Sequence, residues 1–414
     1  MSTALQAFSG CGIELEYMIV DRHTLAVLPV ADELLHRLAG EYVGEVRQGA
    51  LCWSNELVLH LLELKNSNPD IAMESLSEAL QSEIQRINRL LEHMGARLMP
   101  TAMHPFMNPR AETRLWPHIS AKIYRAYDRI FGCRCHGWAN LQSMQLNLPF
   151  AGDQEFARLH AAVRLLLPVL PALAASSPIA EGGSSGFLDF RMESYRTHQL
   201  RVPSTIGVVI PETSTSRAEY EAQILAPMYR EMETLDAKGV LQHEWLNARG
   251  AIPRFDRNAL EIRVIDMQEC TQANLAIAAA ATDAVRALYE ETYAPLAEQQ
   301  AIGTDALAEI LRTCIRDAEH AVIADAEYLR LMGFPALRCE ARELWRHLIT
   351  SMKLYRPEPQ DAWQEALHII LEHGTLAHRI LRAMGDDYRR DRLQAIYGEL
   401  CDCLEEGRMF LGMR

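Results

Sequence analysis

One sequence pattern occurs three times: two polar side chains placed two residues apart within an aliphatic run. The runs are residues 12–17 (GIELEY), 144–148 (MQLNL) and 260–264 (LEIRV). In an extended strand, residues i and i+2 point to the same face. Each run therefore predicts a strand with one polar and one apolar face. If the three strands pair, they form a sheet with an apolar back and a polar front.

The polar front predicts a particular chemistry. Glu14 and Glu16 would place two like charges side by side, and a hard cation relieves that repulsion. Magnesium prefers oxygen ligands and often bridges carboxylates to nucleotide phosphates. Arg263, on the same face as Glu261, suits a phosphate oxygen. The alternative is the solvated outer face of an antiparallel sheet, although the lysines and threonines common on such faces are missing from all three runs.

A fourth segment, residues 54–65 (SNELVLHLLELK), places Glu56 and Glu63 inside an apolar run. Buried carboxylates need a partner or a metal. Residues seven apart lie on opposite faces of a regular strand, so a strand needs a bulge or a twist to aim both one way. In a helix they would share a face. The sequence leaves both conformations open.

Strand-like and helical runs alternate up to Thr271, and helical periodicity dominates from there onward, including a predicted helix over 360–384. We therefore predict an α+β fold with an α/β catalytic body at 1–271. A helical segment at 272–414 packs on the same body. A separate C-terminal domain is the alternative, disfavoured because no flexible linker precedes Ala273.

The net charge of −14 disfavours nucleic acid as a partner, because phosphate binding needs a basic surface. The longest apolar run is broken by Pro168 and Pro171, and the first ten residues lack a signal-peptide pattern. Nine scattered cysteines in a chain of 414 residues are typical of reduced thiols. We therefore expect a cytoplasmic protein without nucleic-acid or membrane partners. Phosphate-binding P-loop and Rossmann motifs are missing, and the Cys133–His136 run lacks zinc-finger spacing.

Over residues 10–300 the chain resembles the second group of glutamate–cysteine ligases and the related carboxylate–amine ligases. The resemblance lies in ordered motifs: GIELE from Gly12, Glu56 and Glu63 with their spacing, RLWP from Arg114, HGWAN from His136, SSP from Ser176, HEWLNAR from His243, and LEIRVID from Leu260.

This resemblance implies a fold like that of glutamine synthetase and the guanidino kinases. A curved, mostly antiparallel sheet forms a funnel backed by helices, with ATP and magnesium on its concave face. The implied reaction activates a carboxylate with the ATP γ-phosphate. An amine then attacks the acyl phosphate and gives an amide, ADP and phosphate. Glutamate and cysteine are the default substrates.

The resemblance also implies residue roles. The implied magnesium ligands are Glu14, Glu16, Glu63 and Glu261, with Glu56 as a further catalytic candidate. Arg263 would contact the transferring phosphoryl group and the nucleotide. Gln145 and Asn147 would contact metal or nucleotide. Related ligases often carry His at the position of Gln145, and Gln keeps polar atoms there but does not titrate.

Four further arginines are candidates. Arg249, as a catalytic residue, and Arg254, as a nucleotide contact, precede the last strand and suit phosphate or a substrate carboxylate. Arg191 and Arg196 follow a Gly/Ser loop and could hold the amino-acid substrate. Surface ion pairs are the alternative for all four.

Two other functions stay open at this point. A guanidino kinase-type phosphotransferase would use the same polar face, and a binding protein would keep the fold without turnover. The helical C-terminal third offers an apolar face for a homodimer, but core packing explains it equally well.

Overall fold

The computed structural model describes residues 5–69, 73–352 and 362–412. The strands are β1 (Gly12–Asp21), β2 (Glu45–Gln48), β3 (Leu51–Asn55), β4 (Leu61–Asn66), β5 (Ala96–Met99), β6 (Ser143–Pro149), β7 (Ile179–Ala180), β8 (Gly183–Ser184), β9 (Ala251–Arg254), β10 (Ala259–Asp266), β11 (Val322–Ile323) and β12 (Cys339–Glu340). The helices are α1 (Ala31–Ala39), α2 (Met73–Glu92), α3 (Pro109–Glu112), α4 (Ala121–Phe131), α5 (His136–Ala139), α6 (Gly152–Leu166), α7 (Pro171–Ala174), α8 (Phe190–Tyr195), α9 (Arg217–Tyr220), α10 (Ala226–Met232), α11 (Thr271–Tyr289), α12 (Leu296–Ala301), α13 (Thr304–Asp317), α14 (Ala326–Leu331), α15 (Ala341–Ser351), α16 (Ala362–His373), α17 (Leu376–Met384) and α18 (Arg390–Glu406).

Among the described residues, eight strands form one sheet in the order β2-β3-β4-β1-β6-β10-β9, with β5 paired to β1. Every pairing in this sheet is antiparallel. The three strands with alternating polar pairs, β1, β6 and β10, are direct neighbours at its centre. Glu14 lies opposite Gln145, and Asn147 lies opposite Glu261. The predicted α+β fold with a large antiparallel sheet is confirmed.

The alternation works as the sequence predicts. The aliphatic residues that alternate with the polar ones are fully buried: Ile13, Leu15, Leu146, Leu148, Leu260 and Ile262. Helices α6, α7 and α11 contact β6 or β10. The sheet therefore uses its apolar face for the core and leaves its polar face for other contacts.

Within the described residues, eight helices follow β10, α11 to α18, and the short β11–β12 pair lies among them. Residues 360 and 361, where the predicted helix over 360–384 begins, lie outside the described part of the chain. Within that part the helix is divided in two at Gly374, whose φ of +87° is a left-handed conformation that glycine adopts without steric cost. Thr375 then caps the start of α17, its side chain accepting a hydrogen bond from the His378 backbone N–H.

One apolar core includes side chains from both sides of residue 271, such as Leu15 of β1 and Ile277 of α11. The division into a catalytic body and an attached helical segment stays a prediction. Across the described ranges, none of the helices combines the length and the apolar character that crossing a bilayer would require.

Candidate active site

A cavity of about 470 Å³ opens on the polar face of the sheet. That volume is in the range of small-molecule sites. Nine of the predicted site residues line it: Glu14, Glu16, Glu56, Glu63, Gln145, Arg191, Arg254, Glu261 and Arg263. Side chains that are scattered over 250 positions of sequence are thus collected in one place by the neighbouring strands.

The segment around Glu56 and Glu63 is neither one strand nor a helix. β3 ends at Asn55, and the chain loops out through residues 56–60 before β4 returns antiparallel to β3. Glu56 lies just after β3 and Glu63 lies within β4, so the reversal of the chain turns both carboxylates toward the cavity. On a single regular strand, residues seven apart would lie on opposite faces. The reversal of the chain between Glu56 and Glu63 is why both face the cavity.

Four carboxylates form one side of the cavity, and we call them the acidic cluster. Glu16, Glu56 and Glu63 each bring an oxygen to within 4.8 Å of the other two. Glu14 joins them through a hydrogen bond with Glu63. Lys65 is the nearby cation, with its Nζ 2.5 Å from Glu63 Oε1. If all four were ionised, one lysine would leave the cluster with excess negative charge.

Hydrogen bonds from β6 hold two of these carboxylates in place. Glu16 Oε2 accepts from the Ser143 backbone N–H at 2.7 Å and from its hydroxyl at 3.1 Å. Gln145 Nε2 donates to Glu16 Oε1 at 3.0 Å. Asn147 Nδ2 donates to Glu14 Oε1, also at 3.0 Å. Neutral donors therefore orient the cluster without cancelling its charge.

The crowding changes how these groups titrate. Burial, reinforced by neighbouring carboxylates, raises the pKa of Glu14 and of Glu56 well above the ordinary value of 4.5. Burial likewise raises the pKa of Glu16 to about 7. Glu63 differs: burial opposes ionisation, but the charge of Lys65 and its hydrogen bonds outweigh it and lower the pKa. The cluster thus favours protonation unless a cation is supplied.

The opposite side of the cavity carries arginines. Glu261, which is 1% exposed, accepts from Arg254 Nη1 at 3.0 Å and from Arg263 Nε at 2.6 Å. Burial opposes ionisation of Glu261, but the two guanidiniums outweigh it and lower its pKa. Arg263 keeps its charge, because Glu261 raises its pKa despite burial. Both Glu261 oxygens are therefore used by guanidinium donors.

Arg191 lies deeper in the cavity. Its Nε donates to Asp266, and its Nη1 donates to the Arg263 carbonyl at 3.3 Å. Its Nη2 is buried and has no hydrogen-bond partner among the described residues, and the same holds for Arg254 Nε. Buried N–H groups without acceptors are costly, so these two donors point to a ligand that would accept from them.

Three predicted residues do not line the cavity. Arg249 is 3% exposed and makes a two-pronged ion pair with Glu212 at 2.6 and 2.7 Å, so its guanidinium serves packing. Arg196 is paired with Glu193 one helical turn away, at 2.5 and 2.6 Å. Both guanidiniums are therefore engaged in ion pairs outside the cavity, and the surface ion pair that was the alternative describes Arg196 but not the buried Arg249. Asn147, the third, contacts the site indirectly, by donating a hydrogen bond to Glu14.

Sequence reasoning missed several polar residues that line the cavity. Lys65 is two residues after Glu63 and Ser143 is two before Gln145, so the same-face rule for strands would have found both. Ser54 donates to Glu63 Oε1 at 2.6 Å.

An aromatic wall was also missed. Tyr127, Trp138 and Trp245 line the cavity, with ring centroids 5.0 Å apart for Tyr127–Trp138 and 5.8 Å for Tyr127–Trp245. No local pattern in the sequence brings these three rings together.

Comparison with known proteins agrees with this geometry. The family model described as Glutamate-cysteine ligase family 2 (GCS2) matches residues 11–401. A protein of Archaeoglobus fulgidus is 33% identical over 400 residues, which cover 97% of this chain and all of that protein. A Rubrobacter xylanophilus protein, provisionally named glutamate–cysteine ligase 2-3, is 31% identical over 185 residues, 44% of this chain and 47% of that protein.

The fold is also similar to a solved structure, the glutamate–cysteine ligase of Francisella tularensis in complex with AMP. The TM-score is 0.58 at 13% identity, with 97% of this chain and 90% of that chain covered. At this identity the likeness concerns the fold. The family match spans nearly the whole chain and includes the strands that build the cavity. The chain therefore belongs to glutamate–cysteine ligase family 2, and it is an ATP-dependent carboxylate–amine ligase.

Proposed function

We propose that this ligase uses magnesium–ATP to join the γ-carboxylate of glutamate to an amine, with cysteine as the default amine, through an acyl phosphate. One observation carries the proposal: a single cavity sets four carboxylates against the guanidiniums of Arg254, Arg263 and Arg191. Phosphoryl transfer asks a protein mainly for positioning and for neutralisation of charge. This cavity offers both and contains no nucleophile motif.

The acidic cluster fits a hard divalent cation. Its donors are carboxylate oxygens, and Glu16, Glu56 and Glu63 each bring one oxygen to within 4.8 Å of the others. Burial raises the pKa of Glu16 to about 7, so a bound cation would favour its ionised form. We assign Glu14, Glu16, Glu56 and Glu63 as the residues that would hold magnesium. The ion would supply neutralisation of phosphate charge. Gln145 and Asn147 would act by orienting these carboxylates.

The arginine side fits the phosphates of the nucleotide. Arg263 is charged and partly exposed to the cavity, and Arg254 has a buried Nε with no acceptor among the described residues. Phosphate oxygens would offer both guanidiniums a second partner besides Glu261. Glu261, at the border between the acidic cluster and these arginines, stays a candidate ligand of magnesium.

Arg191 is our candidate for holding the amino-acid substrate. Asp266 fixes its guanidinium, and its Nη2 lies buried beside the cavity without a partner among the described residues. A carboxylate of glutamate would accept from this N–H group. Fixing Arg191 in advance would reduce the entropy lost when substrate binds.

The test is release of ADP from magnesium–ATP, measured with glutamate alone, with cysteine alone, with both, and with pools of other carboxylates and amines. Glu14→Gln and Glu261→Gln are the site variants, and Glu92→Gln, which changes an exposed carboxylate, is the matched control. We expect release that needs both a carboxylate and an amine, is lost in the two site variants and persists in the control.

Other outcomes would contradict parts of the proposal. Turnover with other substrates but not with glutamate and cysteine would exclude the default pair. Stoichiometric release that needs only one acceptor would indicate a phosphotransferase. Binding of ATP without release from any pool would favour a binding protein.

A further inference from the structure

A second group of metal-ligating side chains lies in the C-terminal helices, outside the active-site cavity. Glu319 and His320 belong to a 3₁₀ turn, Ala318–His320, that follows α13, and His378 belongs to α17. Their ligand atoms lie within 4.8 Å of one another. The group shares no residue with the acidic cluster, and it lines a different cavity of about 160 Å³.

Two of the distances within this group match the edges of a coordination tetrahedron. His378 Nδ1 lies 3.3 Å from Glu319 Oε1 and 3.3 Å from His320 Nε2. Hydrogen bonds from N–H groups are usually shorter, near 2.9–3.0 Å. Zinc with metal–nitrogen distances of about 2.0–2.1 Å separates tetrahedral ligand atoms by about 3.3 Å. Two of the three ligand-to-ligand distances thus equal those around zinc, and the third, between Glu319 and His320, is within 4.8 Å.

A single proton explains the arrangement less well. His378 Nδ1 faces a carboxylate oxygen and a second imidazole nitrogen at the same distance, and one proton on it is directed to only one acceptor at a time. A divalent ion would instead accept a lone pair from each of the three atoms. Two imidazoles and a carboxylate are a donor set that suits zinc better than magnesium.

Surrounding groups fix the ligands. Glu319 is 5% exposed, and its carboxylate accepts from the Thr375 N–H at 3.2 Å and from the Thr375 hydroxyl at 2.9 Å. Gly374 leaves room for it, since a Cβ there would lie 2.6 Å from Glu319 Oε1. His320 Nδ1 lies 3.7 Å from Glu340 Oε2, which is an ion-pair distance and longer than a hydrogen bond.

We propose that Glu319, His320 and His378 bind a zinc-class divalent transition-metal ion. The fourth ligand is a water from the adjoining cavity, which Arg342 and Arg382 also line. Three protein ligands of the His₂Glu type with one open position are a known arrangement for zinc. The ion links the 3₁₀ turn to α17 across 58 residues of sequence.

The experiment uses the full chain, stripped with a chelator and then dialysed against Zn²⁺ alone, with the bound zinc measured per chain. The test variant carries both His320→Gln and His378→Gln. The matched control is His373→Gln, a histidine that lines the same cavity but is outside the ligand group. Because the acidic cluster and the cysteines are the same in all three proteins, the difference in zinc content isolates this site.

Wild type and His373→Gln are expected to retain about one zinc ion more per chain than the double variant. Co²⁺ in place of Zn²⁺ should give wild type the visible absorption of tetrahedral cobalt and give the double variant less of it. Both replaced histidines are partly exposed, at 43% and 38% of their side chains, and circular dichroism checks that the variant is folded.

Equal zinc content in wild type and the double variant would overturn the proposal. A wild-type cobalt spectrum without a tetrahedral band would also overturn it, and this measurement needs no variant. Neither readout depends on ADP release, so this site and the proposed ligase reaction can fail separately.

Discussion

Replacing Glu16 with Gln is expected to stabilise the protein in a chelator at alkaline pH, although it removes a proposed metal ligand. Burial raises the pKa of Glu16 from its ordinary 4.5 to about 7, so folding disfavours its charged form. Such a shift lowers the free energy of unfolding by about 3 kcal/mol once the group is fully ionised. Gln is similar in shape, and the Gln145 amide can turn over to accept from it.

The sign depends on pH. Below the unfolded pKa of about 4.5 the carboxyl is neutral in both states and costs nothing. The penalty grows as the pH rises through the folded pKa of about 7. We expect the free energy of unfolding of Glu16→Gln to exceed that of wild type by about 1 kcal/mol near pH 5 and by about 3 kcal/mol near pH 8. With an unfolding entropy of roughly 2.1 cal/mol/K per residue, 3 kcal/mol in 414 residues raises the melting temperature by about 3–4 °C.

Glu63→Gln is the control from the same cluster. The pKa of Glu63 is lowered, because Lys65 and its hydrogen bonds outweigh burial, so its charged form stabilises the fold. The same substitution there is expected to lower the melting temperature at alkaline pH. The assay is thermal unfolding by circular dichroism in EDTA near pH 5 and near pH 8, repeated with excess magnesium.

Magnesium should raise the melting temperature of wild type more than that of Glu16→Gln. The difference between the two melting temperatures should therefore shrink or change sign. A Glu16→Gln variant that melts below wild type at alkaline pH in EDTA would refute the reasoning, as would a difference that does not grow with pH.

Three further predictions concern the site and its support. Arg263→Met should lower ADP release at least about 10²-fold. Arg249→Met, which removes a buried guanidinium paired with the half-exposed Glu212 outside the cavity, should lower the melting temperature and keep turnover per folded molecule; equal loss of turnover in both would contradict the assignment. Chelation with EDTA should abolish ADP release and added magnesium should restore it, and release that persists in EDTA would exclude the metal assignment. Gly137→Ala should lower the free energy of unfolding by about 1–3 kcal/mol, because a Cβ would lie 2.8 Å from the Ser194 carbonyl oxygen. Since Gly137 lines the cavity, the same change should weaken nucleotide binding. Gly398→Ala, with open space around it in α18, should leave the melting temperature unchanged or higher; equal destabilisation by both would show that crowding is not the cause.

Much of the site could be predicted because strand geometry is local. The i, i+2 rule placed Glu14 with Glu16 and Glu261 with Arg263 on single faces, and the aliphatic residues between them predicted the buried back of the sheet. The helical periodicity after Thr271 predicted the C-terminal helices for the same reason, since 3.6-residue spacing is set by the backbone alone. The break at Gly374 was missed because the apolar pattern continues on both sides of it.

What the sequence by itself determined was therefore the three central strands and the helical character of the C-terminal third, the chemistry of the polar face of the sheet and the family of the chain. The tertiary structure alone decided which arginines reach the cavity: Arg191, Arg254 and Arg263 line it, while Glu212 and Glu193 pair with Arg249 and Arg196. It also decided that a reversal after Asn55 turns Glu56 and Glu63 the same way. The physical reason is that a charged side chain pairs with whatever group the fold brings near, and such long-range proximity leaves no trace in local spacing.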